Sequence, residues 1–260
     1  MSEHGRKPTR RDLGGDQIEG RQAVRELLVA GRRRVFELLV ASSDDARGPL
    51  RDLEELAKGS RVPVKHVSAG KLAAAARTEA PQGVLARCAA LEEVELESLT
   101  KRRKGVAPLL IAVDGVTDPG NLGALLRAAE CAGVTGVVLP RHRSVHITPT
   151  VAKAAAGAIE HLPMAVVPGL PAALERMKAS GVWVVGLDSG GDGRIDQLTL
   201  ASEPLVLVFG AEGRGLSPLV RKRCDVVAAI ALRGRLASLN VAAAGAIACY
   251  EVARQRAASG

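Results

Sequence analysis

Five uninterrupted apolar runs in the second half of the chain limit its fold more than any other feature: LLIAVDG (109–115), TGVVLP (135–140), VWVVGLD (182–188), LVLVFG (205–210) and VVAAIAL (226–232). A strand that alternates apolar and polar residues keeps one face in water, whereas a continuous run asks for cover on both faces. Helical segments at 121–132, 148–160, 170–180 and 240–254 fall among these runs. The pattern predicts a parallel sheet wrapped by helices on both sides. Leu170, Leu174 and Met177 form an ordinary buried stripe on the third of these helices. In an open parallel sheet a ligand lies past the carboxyl ends of the strands, which singles out the loops after Val113, Val208 and Leu232.

The first half has a different texture. Residues 1–16 form a basic arm carrying Arg6, Lys7, Arg10 and Arg11, with none of the apolar stretch that a secretory signal needs. Residues 17–30 read as one helix with Val24, Leu27 and Leu28 on one side, closed by Gly31. A strand at 35–41, a helix at 49–58 with Pro in its first turn, strands at 62–67 and 83–90, and a short Ala-rich helix at 71–76 complete a small α/β module over 17–91. No catalytic constellation is visible in it. A lone His at a strand end, His66, is usually structural, and Gly70-Lys71 lacks the preceding glycine and following hydroxyl residue of a phosphate-binding loop. Residues 92–107 are charged and weakly apolar, and they end in the basic cluster Lys101 to Lys104. They read as a linker whose basic end either meets phosphate or is simply solvated. The larger domain then occupies 108–260.

Composition narrows the partner. Hydrophobic residues make up 47% of 260 positions, enough for two cores, but aromatics are only 2%, so these cores are aliphatic and RNA binding by rows of stacked rings is disfavoured. Lys and Arg number 36 against 28 Asp and Glu, a formal charge of +8 that suits a polyanion held in a salt-dependent way. Cys88, Cys131, Cys224 and Cys249 are scattered, without a CxxC pair or a His at metal spacing, so no metal is expected and free thiols in a reducing cytoplasm are. No run has the apolar length of a bilayer span, and no GxGxxG dinucleotide fingerprint occurs. A cytoplasmic protein without membrane contact is the expectation.

In the first of the three loops, DPGN (118–121) is a turn whose Asn can cap the next helix. On that helix Leu122, Leu125, Leu126 and Ala129 share the apolar face, and Arg127 points about 140° away from it. Arg127 is therefore either a solvated surface residue or free to meet a ligand or a partner subunit. The second loop holds Gly210, Gly213 and Gly215 around Glu212, an arrangement that suits close backbone approach to a ligand and is also consistent with a plain turn. The third places Ser238 and Asn240 just before the last helix, where both are good caps. That helix presents Val241, Ala244, Gly245, Ala248 and Val252 on one mostly small face, which lets another helix pack closely; symmetric dimer packing is one use of it.

Three segments, NLGALLRAAE (121–130), FGAEGRGLS (209–217) and LASLNVAAAGAIACYE (236–251), resemble the three motifs of the SPOUT class of methyltransferases, in the TrmH branch that methylates ribose 2′-hydroxyls of RNA. Asn121 and Arg127 stand six apart, Glu212 lies within GAEGRG, and Ser238 stands two before Asn240, all in the family's order. GAIEHLP (157–163) is similar to the segment that the branch carries between its first two motifs. The resemblance implies an α/β domain with a deep C-terminal trefoil knot, an exception to the general absence of knots. It also implies S-adenosyl-L-methionine contacting the backbone around Gly210, Ile230 and Leu239, and a homodimer with the active site at the subunit interface. In that family the Arg matched by Arg127 acts on the 2′-hydroxyl, and Asn121, Glu212, Ser238 and Asn240 complete the catalytic set. An N-terminal α/β module joined by a linker is similar to the RlmB group, whose module is L30e-like and whose product is 2′-O-methylguanosine in 23S rRNA. Thiostrepton-resistance methyltransferases share the layout but act on an adenosine; tRNA-directed members and a non-catalytic assembly factor are the remaining alternatives. One departure is Ala156, where a Ser commonly precedes the Gly-Ala pair.

Overall fold

The computed structural model describes residues 13–42, 48–102, 105–142 and 145–259. Residues 1–12, most of the basic arm, and Arg103 and Lys104 of the linker cluster lie outside the described residues. The N-terminal module runs β1 (Gln17–Glu19), α1 (Arg21–Ala30), β2 (Val35–Ala41), α2 (Pro49–Gly59), β3 (Val64–Val67), α3 (Ala69–Ala75) and β4 (Val84–Cys88). Its sheet has the order β1-β4-β2-β3, with β1 and β2 antiparallel to β4 and β3 parallel to β2.

The start of this module differs from the single helix expected at 17–30. Gln17, Ile18 and Glu19 are all buried and pair with β4, and Gly20, at φ 93°, breaks the chain before α1 begins. Period-3.6 patterning is real in α1, where Val24, Leu27 and Leu28 are buried, but it cannot show that Gln17 to Glu19 are claimed by a strand nearly seventy positions away. The Glu19 carboxylate sits in that sheet and accepts hydrogen bonds from the Thr78 hydroxyl, the backbone N–H groups of Arg77 and Thr78, and Gln17. Burial works to raise its pKa, and these donors, led by the Thr78 hydroxyl, outweigh it and hold the carboxyl below its ordinary range.

A short helix, α4 (Leu96–Leu99), follows in the segment expected to be an open linker. Leu96 and Leu99 are buried against the larger domain, and the Val94 N–H donates to the Met164 carbonyl, so this stretch is stitched to the domain it leads into. The remaining elements are β5 (Leu109–Asp114), α5 (Pro119–Cys131), β6 (Gly136–Pro140), α6 (Pro149–Ala154), β7 (Met164–Val167), α7 (Leu170–Ala179), β8 (Trp183–Leu187), β9 (Gly193–Arg194), β10 (Leu205–Gly210), α8 (Pro218–Arg221), β11 (Val226–Ala229) and α9 (Val241–Ser259). All seven strands are parallel, in the order β7-β6-β5-β10-β8-β11-β9.

The central pair, β5 and β10, is almost sealed from water: Leu109 to Val113 and Leu205 to Phe209 are at most 1% exposed. Each such aliphatic side chain contributes roughly 1.5–3 kcal/mol relative to exposure, which explains why the apolar runs are continuous. Two strands went unread in the sequence because they are short. β7 is four residues bracketed by Pro163 and Pro168, and β9 is two residues at the sheet edge. The run at 226–232 leaves the sheet after Ala229, so Ile230 and Leu232 belong to a loop. The helix expected over 148–160 is also broken. α6 stops at Ala154, Ala156 and Gly157 take left-handed φ values of 49° and 94°, and a 3-10 turn covers Ala158–Glu160.

The two modules meet through that broken segment. Arg33 grips the Glu160 carboxylate with its Nε and Nη2 and donates from Nη1 to the carbonyls of Gly15 and Ala89, while Arg32 donates to the Glu160 carbonyl. Both partners of this ion pair are buried, with side-chain exposures of 7% and 1%. A Cβ on Gly157 would lie 2.3 Å from the Glu26 Cβ on α1, so glycine allows the turn and the helix to touch. At the far end α9 is clamped by Arg256, which donates to the carbonyls of Ala107, Pro108, Ala201 and Glu203. No helix among the described residues is long and apolar enough to cross a membrane.

Candidate functional site

From β5 the chain steps outward to β6 and β7, then crosses to β8 on the other side of β10. The carboxyl ends of neighbouring β5 and β10 are thus a point where the winding direction changes, and such a point leaves a crevice. A cavity of about 430 Å³ opens beside it, walled by the ends of β8, β10 and β11, the glycine loop after β10, the loop after β11 and the start of α9.

Its glycine loop is a tight turn. Ala211 and Gly215 exchange backbone hydrogen bonds, and Gly213 and Gly215 have φ values of 75° and 63°. A Cβ on Gly210 would fall 2.2 Å from the Gly215 carbonyl carbon, so Gly210 is required for the turn to close on itself. Gly213 faces open space. Asp188, at the end of β8, braces this loop: its Oδ2 accepts from the Leu216 N–H, its Oδ1 accepts from the Gly190 N–H, and Arg221 pairs with it at 3.2 Å. Asp114 does the same from β5, accepting from the Ser217 N–H at 2.7 Å. Both carboxylates escaped the sequence reading. Asp188 ends a strand that was recognised, and extending the carboxyl-end rule to the loop after β8 finds it.

The cap of α5 is Asp118, whose Oδ1 accepts from the Asn121 N–H at 2.7 Å, and not Asn121 as expected. This frees the Asn121 amide to face the neighbouring loops. At α9 the expected capping is seen for Asn240, whose Oδ1 accepts from the N–H groups of Ala242 and Ala243. Its other amide atom, Nδ2, donates to Asn121 Oδ1 at 2.8 Å and to Glu212 Oε1 at 2.6 Å. Glu212 Oε1 also takes the Val241 N–H, so a carboxylate lies at the amino end of a 19-residue helix, where the helix dipole favours negative charge. Asn121, Asn240 and Glu212, 119 positions apart at the extremes, form one hydrogen-bonded unit. Asn121 Nδ2 and Glu212 Oε2 make no hydrogen bond within this unit.

Gly210, Ile230, Leu239, Glu212 and Ser238 all line the cavity, and Asn121 and Asn240 are joined to it through Glu212. Arg127 is not brought into this cluster. It is exposed on α5 and makes no hydrogen bond or ion pair among the described residues. The small face of α9 is used within the chain: Val241, Gly245, Ala248 and Val252 are buried, and a Cβ on Gly245 would lie 2.1 Å from Leu125 Cδ1 of α5. Dimer packing through that face is therefore ruled out, and the opposite face carries exposed Ile247 and Tyr250.

The thiols are kept away from chemistry. Burial pushes Cys88 and Cys224 up to about 11 and Cys249 up to about 12, and Cys131 is exposed on α5. Among the described residues there is no group of three His, Cys, Asp or Glu side chains able to hold a metal.

Comparison with known proteins matches both modules. Residues 108–250 match the SpoU rRNA Methylase family, and residues 17–94 match the family described as RNA 2′-O ribose methyltransferase substrate binding. The chain is 41% identical over 245 residues to the 23S rRNA (guanosine-2′-O-)-methyltransferase RlmB of Pseudomonas aeruginosa, covering 93% of this chain and 97% of that one. It is 38% identical over 243 residues to YacO of Bacillus subtilis, provisionally named a TrmH family tRNA/rRNA methyltransferase, covering 93% and 96%. The crystal structure of the SpoU methyltransferase AviRb from Streptomyces viridochromogenes, in complex with the cofactor AdoMet, superposes with a TM-score of 0.77 at 24% identity, covering 94% of this chain and 91% of that one.

Proposed function

Since the chain belongs to the SpoU rRNA methylase family, we propose that it transfers a methyl group from S-adenosyl-L-methionine to a ribose 2′-hydroxyl of RNA, with a guanosine of 23S rRNA as the substrate. The observation that carries this reading is the Asn121–Asn240–Glu212 unit opening on the cavity beside the sheet's switch point.

That cavity suits the cofactor by its own chemistry. Phe209, Ile230, Leu232, Leu239 and Val241 offer an apolar wall for a purine, the loop around Gly210 offers backbone donors and acceptors, and Glu212 provides negative charge for a cationic ligand. Gly210, Ile230 and Leu239 are the residues that would hold it. When bound, the cofactor supplies an electrophilic methyl group on a sulfonium centre.

The protein's own part is to orient the hydroxyl and stabilise the oxygen as its proton leaves. Glu212 Oε2 would accept that hydroxyl's hydrogen bond, with Asn240 fixing the carboxylate and Asn121 Nδ2 serving the ribose. Ser238 borders the same space. Arg127 is assigned to charge stabilisation and orientation, because a guanidinium keeps its charge and presents a rigid fork of N–H donors. Its exposure on α5, together with exposed Ile247 and Tyr250 on α9, supports a homodimer in which each subunit lends Arg127 to a shared site. The division into 17–91, 92–107 and 108–260, the trefoil knot and a cytoplasmic location belong to the same reading.

Calorimetry with S-adenosylmethionine, followed by methyl transfer to protein-free 23S rRNA, tests it. Arg127→Ala is expected to bind the cofactor as the wild type does and to lose at least about a hundredfold in transfer, the scale of removing one preorganised stabilising group. Absence of cofactor binding, or wild-type transfer by the variant, overturns the assignment. Ribose-methylation mapping in cells without the gene decides the substrate, and a mark lost from tRNA alone overturns the ribosomal choice.

A further inference from the structure

The chain has four aromatic side chains in 260 residues, and one of them, Phe36, stands 49% exposed at the start of β2 in the smaller module. The exposure has a local cause. The β2–β4 register shifts between Val35 and Glu37, so Phe36 sits at a bulge that turns it away from the ladder. The Arg34 guanidinium carbon lies 5.5 Å from the Phe36 ring centroid, and the Arg34 carbonyl is held by the Ala89 N–H at 2.8 Å.

Arg34 makes no ion pair among the described residues. The nearest acid in sequence, Glu37, is occupied by Lys65 at 2.6 Å and Arg87 at 3.0 Å. The Arg34 guanidinium is left with a ring. Its immediate neighbours are not free: Arg33 is locked to Glu160 of the larger domain, and Arg32 donates to the Glu160 carbonyl. The run RRRVF therefore places two anchors into the catalytic domain and, directly after them, an arginine and a phenylalanine facing solvent. The pair is held at a fixed position relative to the larger domain, because the Arg33–Glu160 anchor is buried.

We propose that Arg34 and Phe36 form a stacking platform for one unpaired base of the RNA substrate, a reading that rests on the activity proposed above. An aromatic face presents a π surface that any base can stack on, and a guanidinium adds charge attraction to the neighbouring phosphate without competing for the ring. The absence of an acid at Arg34 fits a polyanion, and the single ring fits one flipped-out or loop base in place of a stacked row. A duplex keeps its bases inside and offers nothing to the platform.

The test uses the full chain with two fluorescent RNA probes, a hairpin carrying 2-aminopurine in its loop and a fully paired duplex of the same composition. Phe36→Ala is expected to weaken hairpin binding about tenfold, as loss of one stacking contact does, and to relieve quenching of the 2-aminopurine, while duplex affinity stays within about twofold. Phe36→Trp is expected to restore hairpin affinity. Arg34→Ala is expected to lower the salt dependence of hairpin binding by about one counterion, which Phe36→Ala does not. Circular dichroism melts confirm that each variant is folded. Equal affinity of Phe36→Ala and wild type for the hairpin, equal loss on both probes, or no rescue by Trp overturns the platform. A wild type that shows the Phe36 dependence yet transfers no methyl group to any RNA overturns the activity and leaves the platform; methyl transfer without Phe36 dependence does the reverse.

Discussion

Asn240 is asked to do two things at once, and two substitutions separate them. Its Oδ1 caps α9, and its Nδ2 holds Asn121 and Glu212. Asn240→Ala removes both. Loss of a capping oxygen costs about 1 kcal/mol, which for a domain of 150–250 residues is about 2–4 °C in Tm. Asn240→Ser keeps a good cap, because serine accepts the same N–H bonds, but it cannot span to both Asn121 and Glu212. A hydrogen bond to a charged group contributes about 1.5–3 kcal/mol, so releasing Glu212 is expected to lower kcat by about tenfold to a hundredfold in both variants. Thermal melts and methyl-transfer kinetics on the same preparations give the answer. Alanine is expected to lose stability and rate together, serine rate alone. A serine variant with wild-type kcat, or an alanine variant with wild-type Tm, refutes the dual role.

Breaking the buried pair between the modules is expected to be far more costly. Arg33→Met alone leaves the Glu160 carboxylate buried without its partner and is expected to destabilise the protein by about 3–5 kcal/mol in chemical denaturation, whereas Arg33→Met with Glu160→Leu is expected to recover much of that loss; an effect of the single change below about 1 kcal/mol would refute the burial argument. The thiols give a pH-dependent prediction. Cys88 at about 11 and Cys249 at about 12 stay protonated in the native state while unfolded thiols ionise near their ordinary value of 9.0, so the unfolded state binds fewer protons in that window and stability falls as pH rises from 9 toward 11. Iodoacetamide at pH 8 is expected to modify exposed Cys131 well before Cys88 and Cys249, and equal rates by mass spectrometry would contradict the assignment.

The candidate site was legible to the extent that its residues carry strong local signals. Glycine at a closing turn, a polar residue before a helix and an apolar run ending in a loop are decided within a few positions, and Gly210, Glu212 and Asn240 all fell on such signals. Asp188 and Asp114 were missed because a carboxylate at a strand end has no local pattern that tells a loop brace from a surface charge. The choice of Asp118 over Asn121 as the cap of α5 was equally hidden. Both are good capping residues three positions apart, and only Asn240, arriving from the other end of the domain, gives Asn121 a different partner.

By itself, then, the amino-acid sequence determined the two modules, the parallel sheet and the loops that matter, because continuous apolar runs, helical periodicity and turn glycines each express an energy that is local along the chain. Tertiary structure decided the rest. It drew Gln17 to Glu19 into a strand, turned the small face of α9 inward against Leu125, closed Arg33 on Glu160, and left Arg127 and Phe36 exposed. Each of these depends on a partner far away in sequence, and the free energy of such a contact exists only once the chain has brought the two groups together and removed the water between them.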